Sequence, residues 1–174
     1  MSEWVVLLRG INVGGINIKM VDLRTAVASA GFTDVRTVLA TGNVVLTSPL
    51  PAAEVKASME RTLADAFGYE AWVVVWDVPR LRSVVASYPF DADREGWHPY
   101  VVFGSNPTHL TELSALADDL DPGLERIVPG DDVVYWEVRK GSTTDSQFGK
   151  ATAKARYKST TTTRNLRTLV KVLA

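Results

Sequence analysis

The apolar residues of this chain come in short runs, and that pattern limits what it can fold into. The longest runs, residues 4–8 and 71–76, hold five and six residues, far below the roughly 20 that span a bilayer. Runs of this length bounded by glycine or proline are read as strands. Between them, apolar residues recur every three or four positions, the period of a helix packed on one face. A chain that alternates these two signals over 174 residues folds as layered α and β structure, in one domain or two small halves.

The order of elements is specific. Residues 3–9 read as a strand, and residues 10–15, with three glycines, as a loop. A helix follows over 20–30 on Met20, Leu23, Val27 and Ala30, ended by Gly31. Strands at 35–39 and 44–47 flank Thr41-Gly42-Asn43, a hairpin turn. Pro49 and Pro51 break the chain before a helix over 53–67, which Gly68 stops, and a strand over 71–76. Residues 1–76 therefore read β-α-β-β-α-β, the order of a ferredoxin-like half.

Residues 77–174 repeat the plan loosely. A short helix at 79–87 leads to a polar loop at 91–98, a strand at 100–103 and a helix at 110–120. A second hairpin joins 125–128 to 133–138, and a short helix falls within 148–157. The closing helix over 165–174 opens with Thr163 as its cap, and Arg164, Arg167 and Lys171 lie together on its outer face. The expected fold is α+β: two ferredoxin-like halves with antiparallel sheets.

Composition excludes whole function classes. Charged residues make up 22% and hydrophobic residues 46%, which rules out a disordered or coiled-coil chain. The absence of cysteine removes disulfides, thiolate metal sites and cysteine nucleophiles. No basic-then-apolar leader opens the sequence, so a cytoplasmic protein is expected. His98 and His109 are the only histidines, too few for a histidine metal site, and Asp91, Asp93 and Glu95 lack the remainder of a calcium loop. No cofactor is expected.

Charge is unevenly placed. Residues 1–138 carry ten Lys/Arg against nineteen Asp/Glu, whereas residues 139–174 carry nine against one. Such a basic end meets nucleic acid, a phosphorylated small molecule, or the acidic body itself.

The loop Arg9-Gly10-Ile11-Asn12-Val13-Gly14-Gly15 is the most unusual local feature. A glycine-rich loop between a strand and a helix can aim backbone N–H groups at an anion. It is not a Walker A loop, since Ile16 and Asn17 stand where Lys and Ser/Thr belong, and Asn12 breaks the dinucleotide pattern. Arg9, Asn12, Asn17 and Lys19 add side-chain donors. The plain alternative is a tight strand-to-helix connection that needs glycine for backbone reasons.

The stretches LLRGINVGG (7–15), GFTDVRTVLATGNVVLTS (31–48) and TTRNLRT (162–168) together resemble a bacterial family known as domain of unknown function 1697. The resemblance implies a two-part α+β fold with ferredoxin-like halves and assigns no reaction. Its signature falls on Arg9, Gly10, Asn12, Gly14 and Gly15, on Gly42 and Asn43, and on Arg164, Asn165 and Thr168. Thr41 stands where the family often has serine, Ile16 where it often has lysine, and Leu166 where it often has an aromatic residue.

Three functions compete. In the first, Arg9, Gly10, Asn12, Gly14, Gly15, Asn17, Lys19, Thr41, Gly42, Asn43, Arg164, Asn165 and Thr168 line one polar groove between the halves for a small, phosphate-bearing anion. Asp22 and His98 are the candidate general bases, without the partner groups of a catalytic set. In the second, Lys150, Lys154, Arg156, Lys158, Arg164, Arg167 and Lys171 track a nucleic-acid backbone. In the third, the basic segment holds the body together, or two copies join through a sheet as a homodimer.

Overall fold

A computed structural model of the chain describes residues 1–11 and 16–174. These divide into two compact units, Met1–Arg82 with Lys171–Ala174, and Ser83–Val170.

The first unit holds β1 (Ser2–Leu8), α1 (Met20–Ser29), β2 (Thr33–Val38), β3 (Asn43–Ser48), α2 (Ala52–Phe67), β4 (Val73–Asp77) and the start of α3 (Val78–Ala86). The sheet runs β2-β3-β1-β4, every pair antiparallel. Side chains alternate across a strand, so Val6 and Leu8 face the helices and join their core, while Val5 and Leu7 are equally buried on the other face. On α2, Val55, Met59 and Leu63 recur every four residues and are fully buried. Gly68, at φ 68°, turns the chain out of the helix, its N–H donating to the Ala64 carbonyl.

The second unit repeats this plan. After α3 come β5 (Trp97–Gly104), α4 (Pro107–Ser114), β6 (Glu125–Pro129), β7 (Val133–Arg139), α5 (Gln147–Thr152), α6 (Ala155–Lys158), β8 (Thr161–Asn165) and α7 (Leu166–Leu173). The sheet runs β6-β7-β5-β8, again all antiparallel. Its core joins Val102, Val134, Trp136 and Val138 to Leu110, Leu113 and Phe148. The protein is thus α+β, with two ferredoxin-like halves.

Two expectations are corrected. Residues 161–165 do not open the last helix. They form β8, which pairs with β5 from Gly104↔Thr161 to Tyr100↔Asn165. Thr163 therefore lies in a strand, and the cap of α7 is Asn165, whose Oδ1 accepts the Arg167 N–H at 2.9 Å. The first unit turns the same corner, where Asp77 Oδ1 accepts the Arg80 N–H at 2.8 Å at the head of α3. The helix expected over 110–120 stops at Ser114, and a single 3-10 turn, Ala117–Asp119, brings Leu120 in to be buried.

The last turn of α7 belongs to the first unit. Its terminal carbonyls have no partners within the helix. Arg36 of β2 donates to the Val172 carbonyl at 2.5 Å, and Arg82 of α3 to that of Leu173 at 3.2 Å. Among the described residues no helix is long and apolar enough to cross a membrane.

Candidate functional site

In the first unit, the end of β1 and the β2–β3 turn meet. The Leu8 N–H donates to the Gly42 carbonyl at 2.8 Å, and Leu7 pairs with Asn43. Gly42 has φ 90°, and a Cβ there would stand 2.8 Å from Ile11 Cδ1 and 2.9 Å from Leu8 Cβ. Only glycine allows this approach. Asn43 has no exposed surface; its Nδ2 donates to the Val38 carbonyl at 2.7 Å and to Thr41 Oγ1 at 2.9 Å. Its amide donates within the turn, so Gly42 and Asn43 form the bed on which Leu8 and Ile11 rest. Asn43→Ala is expected to cost about 2 kcal/mol, because a carbonyl at the sheet end loses its donor. A urea-unfolding midpoint unchanged from wild type would contradict that role.

The loop leaves this bed at Arg9, which is half-buried and whose N–H donates to the Trp72 carbonyl at 3.1 Å. Burial lowers the Arg9 pKa from its usual value. Gly10 follows at φ 73° and is exposed, and Ile11 returns to the core. Beyond it, Ile16 and Ile18 pack on the same core while Asn17 and Lys19 are exposed. Ile16 is therefore an apolar anchor. Asn12, Gly14 and Gly15 lie outside the described residues.

The sister half makes the same connection differently. The Ser105 N–H donates to the Thr160 carbonyl at 2.9 Å, as Arg9 does to Trp72. Yet only Ser105 and Asn106 separate β5 from α4, against the eleven residues 9–19 between β1 and α1. Asn106 accepts the Thr108 N–H at 3.0 Å, with Pro107 in the first turn, a complete helix start. Lys19, in the corresponding position before α1, makes no side-chain cap. The sister half makes this connection in two residues, nine fewer than the first.

The C-terminal signature residues belong to the second unit. Arg164 is not on an outward helix face. It stands in β8 with 6% exposure, donating from Nη1 to Thr162 Oγ1 at 2.6 Å and to the Thr163 carbonyl at 3.1 Å. Asn165 caps α7, and Thr168 is half-buried on that helix. The basic row is interrupted elsewhere too. Arg156 donates from Nε to Glu112 at 2.8 Å and holds its carboxyl down to about 2, helped by the Tyr157 hydroxyl. Arg167 stands 3.9 Å from Asp93, and Lys150, Lys154, Lys158 and Lys171 are exposed.

Of the candidate bases, Asp22 is exposed in the first turn of α1. His98 lies on β5, and burial, then Lys140 and Arg167, lower its pKa and favour the neutral ring. Asp91 Oδ1 accepts the Asp93 N–H at 2.9 Å, a local turn. Among the described residues, no group of three His, Asp or Glu side chains is placed to hold a metal ion.

The sequence pattern missed two buried carboxylates. Glu125 accepts Trp136 Nε1–H at 3.0 Å and the Phe148 N–H at 3.2 Å. Glu137 accepts both Arg94 and Arg126. Nothing in a run such as YWEV distinguishes a glutamate facing inward from one facing water.

These features define a class: a duplicated ferredoxin-like α+β protein whose first half carries an extended loop between its first strand and helix. A family model described as Protein of unknown function (DUF1697) matches residues 1–135, and the chain belongs to that family. The match includes the loop and the TGN turn and stops short of Arg164. The structure of conserved bacterial protein SP0830 from Streptococcus pneumoniae aligns with a TM-score of 0.81 and 21% identity, over 99% of this chain and 96% of that one. At that identity the likeness is one of fold. None of the curated proteins matches the chain.

Proposed function

We propose that the first unit binds a small, phosphate-bearing anion at the loop over residues 9–19. The observation that carries this reading is the difference in connector length: eleven residues where the duplicated half needs two. Long loops on a rigid scaffold are where binding residues concentrate. Arg9 and Lys19 supply the charge, Asn17 a further donor, and Asn12, Gly10, Gly14 and Gly15 the backbone groups and freedom to approach a ligand closely. Thr41, Gly42 and Asn43 form the turn that holds Leu8 and Ile11, on either side of Arg9 and Gly10. Arg164 and Asn165 serve the second sheet and α7.

The test is a thermal-shift panel of nucleotides and sugar phosphates at about 10 mM. A ligand present at 100 times its Kd stabilises the bound unit by about 2.7 kcal/mol. At least one phosphate ester is expected to raise the midpoint in wild type and not in a Lys19→Gln, Asn17→Ala double variant, whose altered side chains are exposed. No shift with any member of the panel, or the same shift in the double variant, would overturn the reading.

The nucleic-acid alternative finds less support, since Arg156 and Arg167 face acidic partners and Arg164 is buried. The second sheet instead incorporates the basic segment as β8, which favours a structural role for residues 139–174.

A further inference from the structure

We propose that the outer face of the β6–β7 pair in the second unit is a separate binding site, for a small molecule carrying an oxyanion on a compact apolar body. At one end of this face Glu137 is 2% exposed, and its Oε2 accepts Arg94 Nη1 at 2.9 Å and Arg126 Nε at 2.7 Å. Both arginines remain open to solvent, with side chains 39% and 49% exposed. Each is also stacked, Arg94 at 3.7 Å over Trp97 and Arg126 at 4.9 Å over Phe90. Among the described residues, Arg94 Nε and Nη2 and Arg126 Nη1 have no further acceptor. Two guanidinium groups are thus held in fixed orientation with unused N–H groups, carrying one positive charge beyond what Glu137 neutralises. Planar donors so arranged recognise phosphate and carboxylate.

Stability alone is a poor account of this cluster. A buried carboxylate loses its hydration, and the Oε1 of Glu137 is buried with no hydrogen-bond partner among the described residues. The fold tolerates an unsatisfied acceptor at the point where it fixes two exposed cations.

The apolar half of the site follows from strand register. Arg126 pairs with Glu137, and two residues along, on the same face, Val128 pairs with Tyr135. Val128 and Tyr135 line a cavity of about 320 Å³ together with Pro89, Ser83 and Ser87. One strand step of two residues, about 7 Å, separates Arg126 from Val128 along β6, and Arg94 joins Arg126 at the same Glu137 oxygen. A single small molecule reaches both the arginines and the cavity wall. Asp131, in the hairpin turn, also lines the cavity and its carboxylate repels an anion there, so the anionic group belongs with the arginines.

Phenyl phosphate is the probe, followed through the arginine Nε–H and tyrosine ring signals by NMR. It is expected to shift Arg94, Arg126 and Tyr135 together, and to bind about tenfold more tightly than orthophosphate, which lacks the apolar body. Benzoate in a parallel titration separates carboxylate from phosphate as the anionic group. Arg94→Lys and Arg126→Lys keep the charge but not the planar fork, and are expected to weaken binding several-fold while the second unit stays folded, as its Trp136 indole signal reports. Val128→Trp fills the cavity and should remove the advantage over orthophosphate while leaving the orthophosphate shift. Lys19→Gln, in the other unit, should leave all these signals as in wild type, which keeps this test separate from that of the loop. No arginine shift, a shift undiminished in both lysine variants, or an aryl advantage surviving in Val128→Trp would each overturn the proposal.

Discussion

A chain ended at Lys140 is expected to lose the fold of the second unit entirely. The deletion removes β8 from its pairing with β5 along Gly104 to Tyr100. It removes Phe148, which stands with its ring 5.1 Å from that of Trp136 and whose N–H satisfies Glu125. It also removes Leu166 and Leu169, 6% and 0% exposed. Burying a side chain of this kind contributes about 1.5–3 kcal/mol, so these three alone contribute roughly 5–9 kcal/mol. That matches the whole stability of an ordinary domain, about 5–15 kcal/mol. Arg36 and Arg82 of the first unit also lose the carbonyls they cap. Dispersed indole N–H signals from Trp97 and Trp136 report the second unit by NMR, and they should collapse in the truncated chain. Replacing Lys150, Lys154, Lys158 and Lys171 together by glutamine removes four exposed charges while keeping these contacts, and should leave the signals in place. A truncated chain that keeps them would show the segment to be an appendage.

The same segment marks where sequence reasoning stops. β1 is legible from its short unbroken apolar run, buried on both faces from Val5 to Leu8, and α2 from a helical repeat whose positions Val55, Met59 and Leu63 are the buried ones. β8 is written TTTRN and has no apolar alternation. It is a strand because β5 offers an edge and because threonine is β-branched. A sequence window sees only the threonines, so it puts Arg164 on a helix face instead of within a sheet. The duplication was visible in the two hairpins, but its consequence for the loop was not. That required knowing that β5 passes to α4 in two residues. The TGN turn was legible as a turn; that Gly42 lies under Leu8 and Ile11 was not, because the contact joins residues more than thirty apart. The glutamates were least legible. Burial of a carboxylate is decided by partners elsewhere in the fold, here Trp136 and Phe148 for Glu125, and Arg94 and Arg126 for Glu137.

The second large effect is expected at a glycine that the sequence does not single out. Gly149 lies in α5, fully buried, one turn after the cap Ser146. A Cβ at this position would stand 1.9 Å from the Thr143 carbonyl oxygen and 3.0 Å from Ser146 Oγ. The first distance is far inside van der Waals contact, and the obstructing atom is backbone, so no rotamer change relieves it. Thr143 has little freedom to retreat, because it sits in a turn where the Ser142 carbonyl accepts the N–H groups of Asp145 and Ser146 at 3.2 Å and 2.9 Å. Moving Ser146 would in turn withdraw the hydroxyl that caps the helix through the Gly149 N–H at 3.1 Å. Gly149→Ala should therefore cost about 3 kcal/mol or more, a fall of roughly 10 °C in melting temperature for a chain of this size. Gly96→Ala is the matched control. Gly96 has φ 78° but nothing within 4 Å of its Cβ position, so only the left-handed backbone is penalised. That cost is about 1 kcal/mol. Both glycines lie in the second unit, so the Trp97 and Trp136 signals report both variants through a urea titration. Equal midpoints for the two would mean that the helix backs away from residue 143 at little cost, and that α5 does not fix the position of Phe148 against Trp136. A much lower midpoint for Gly149→Ala places the rigidity of the second core in this one close contact between a turn carbonyl and a helix backbone.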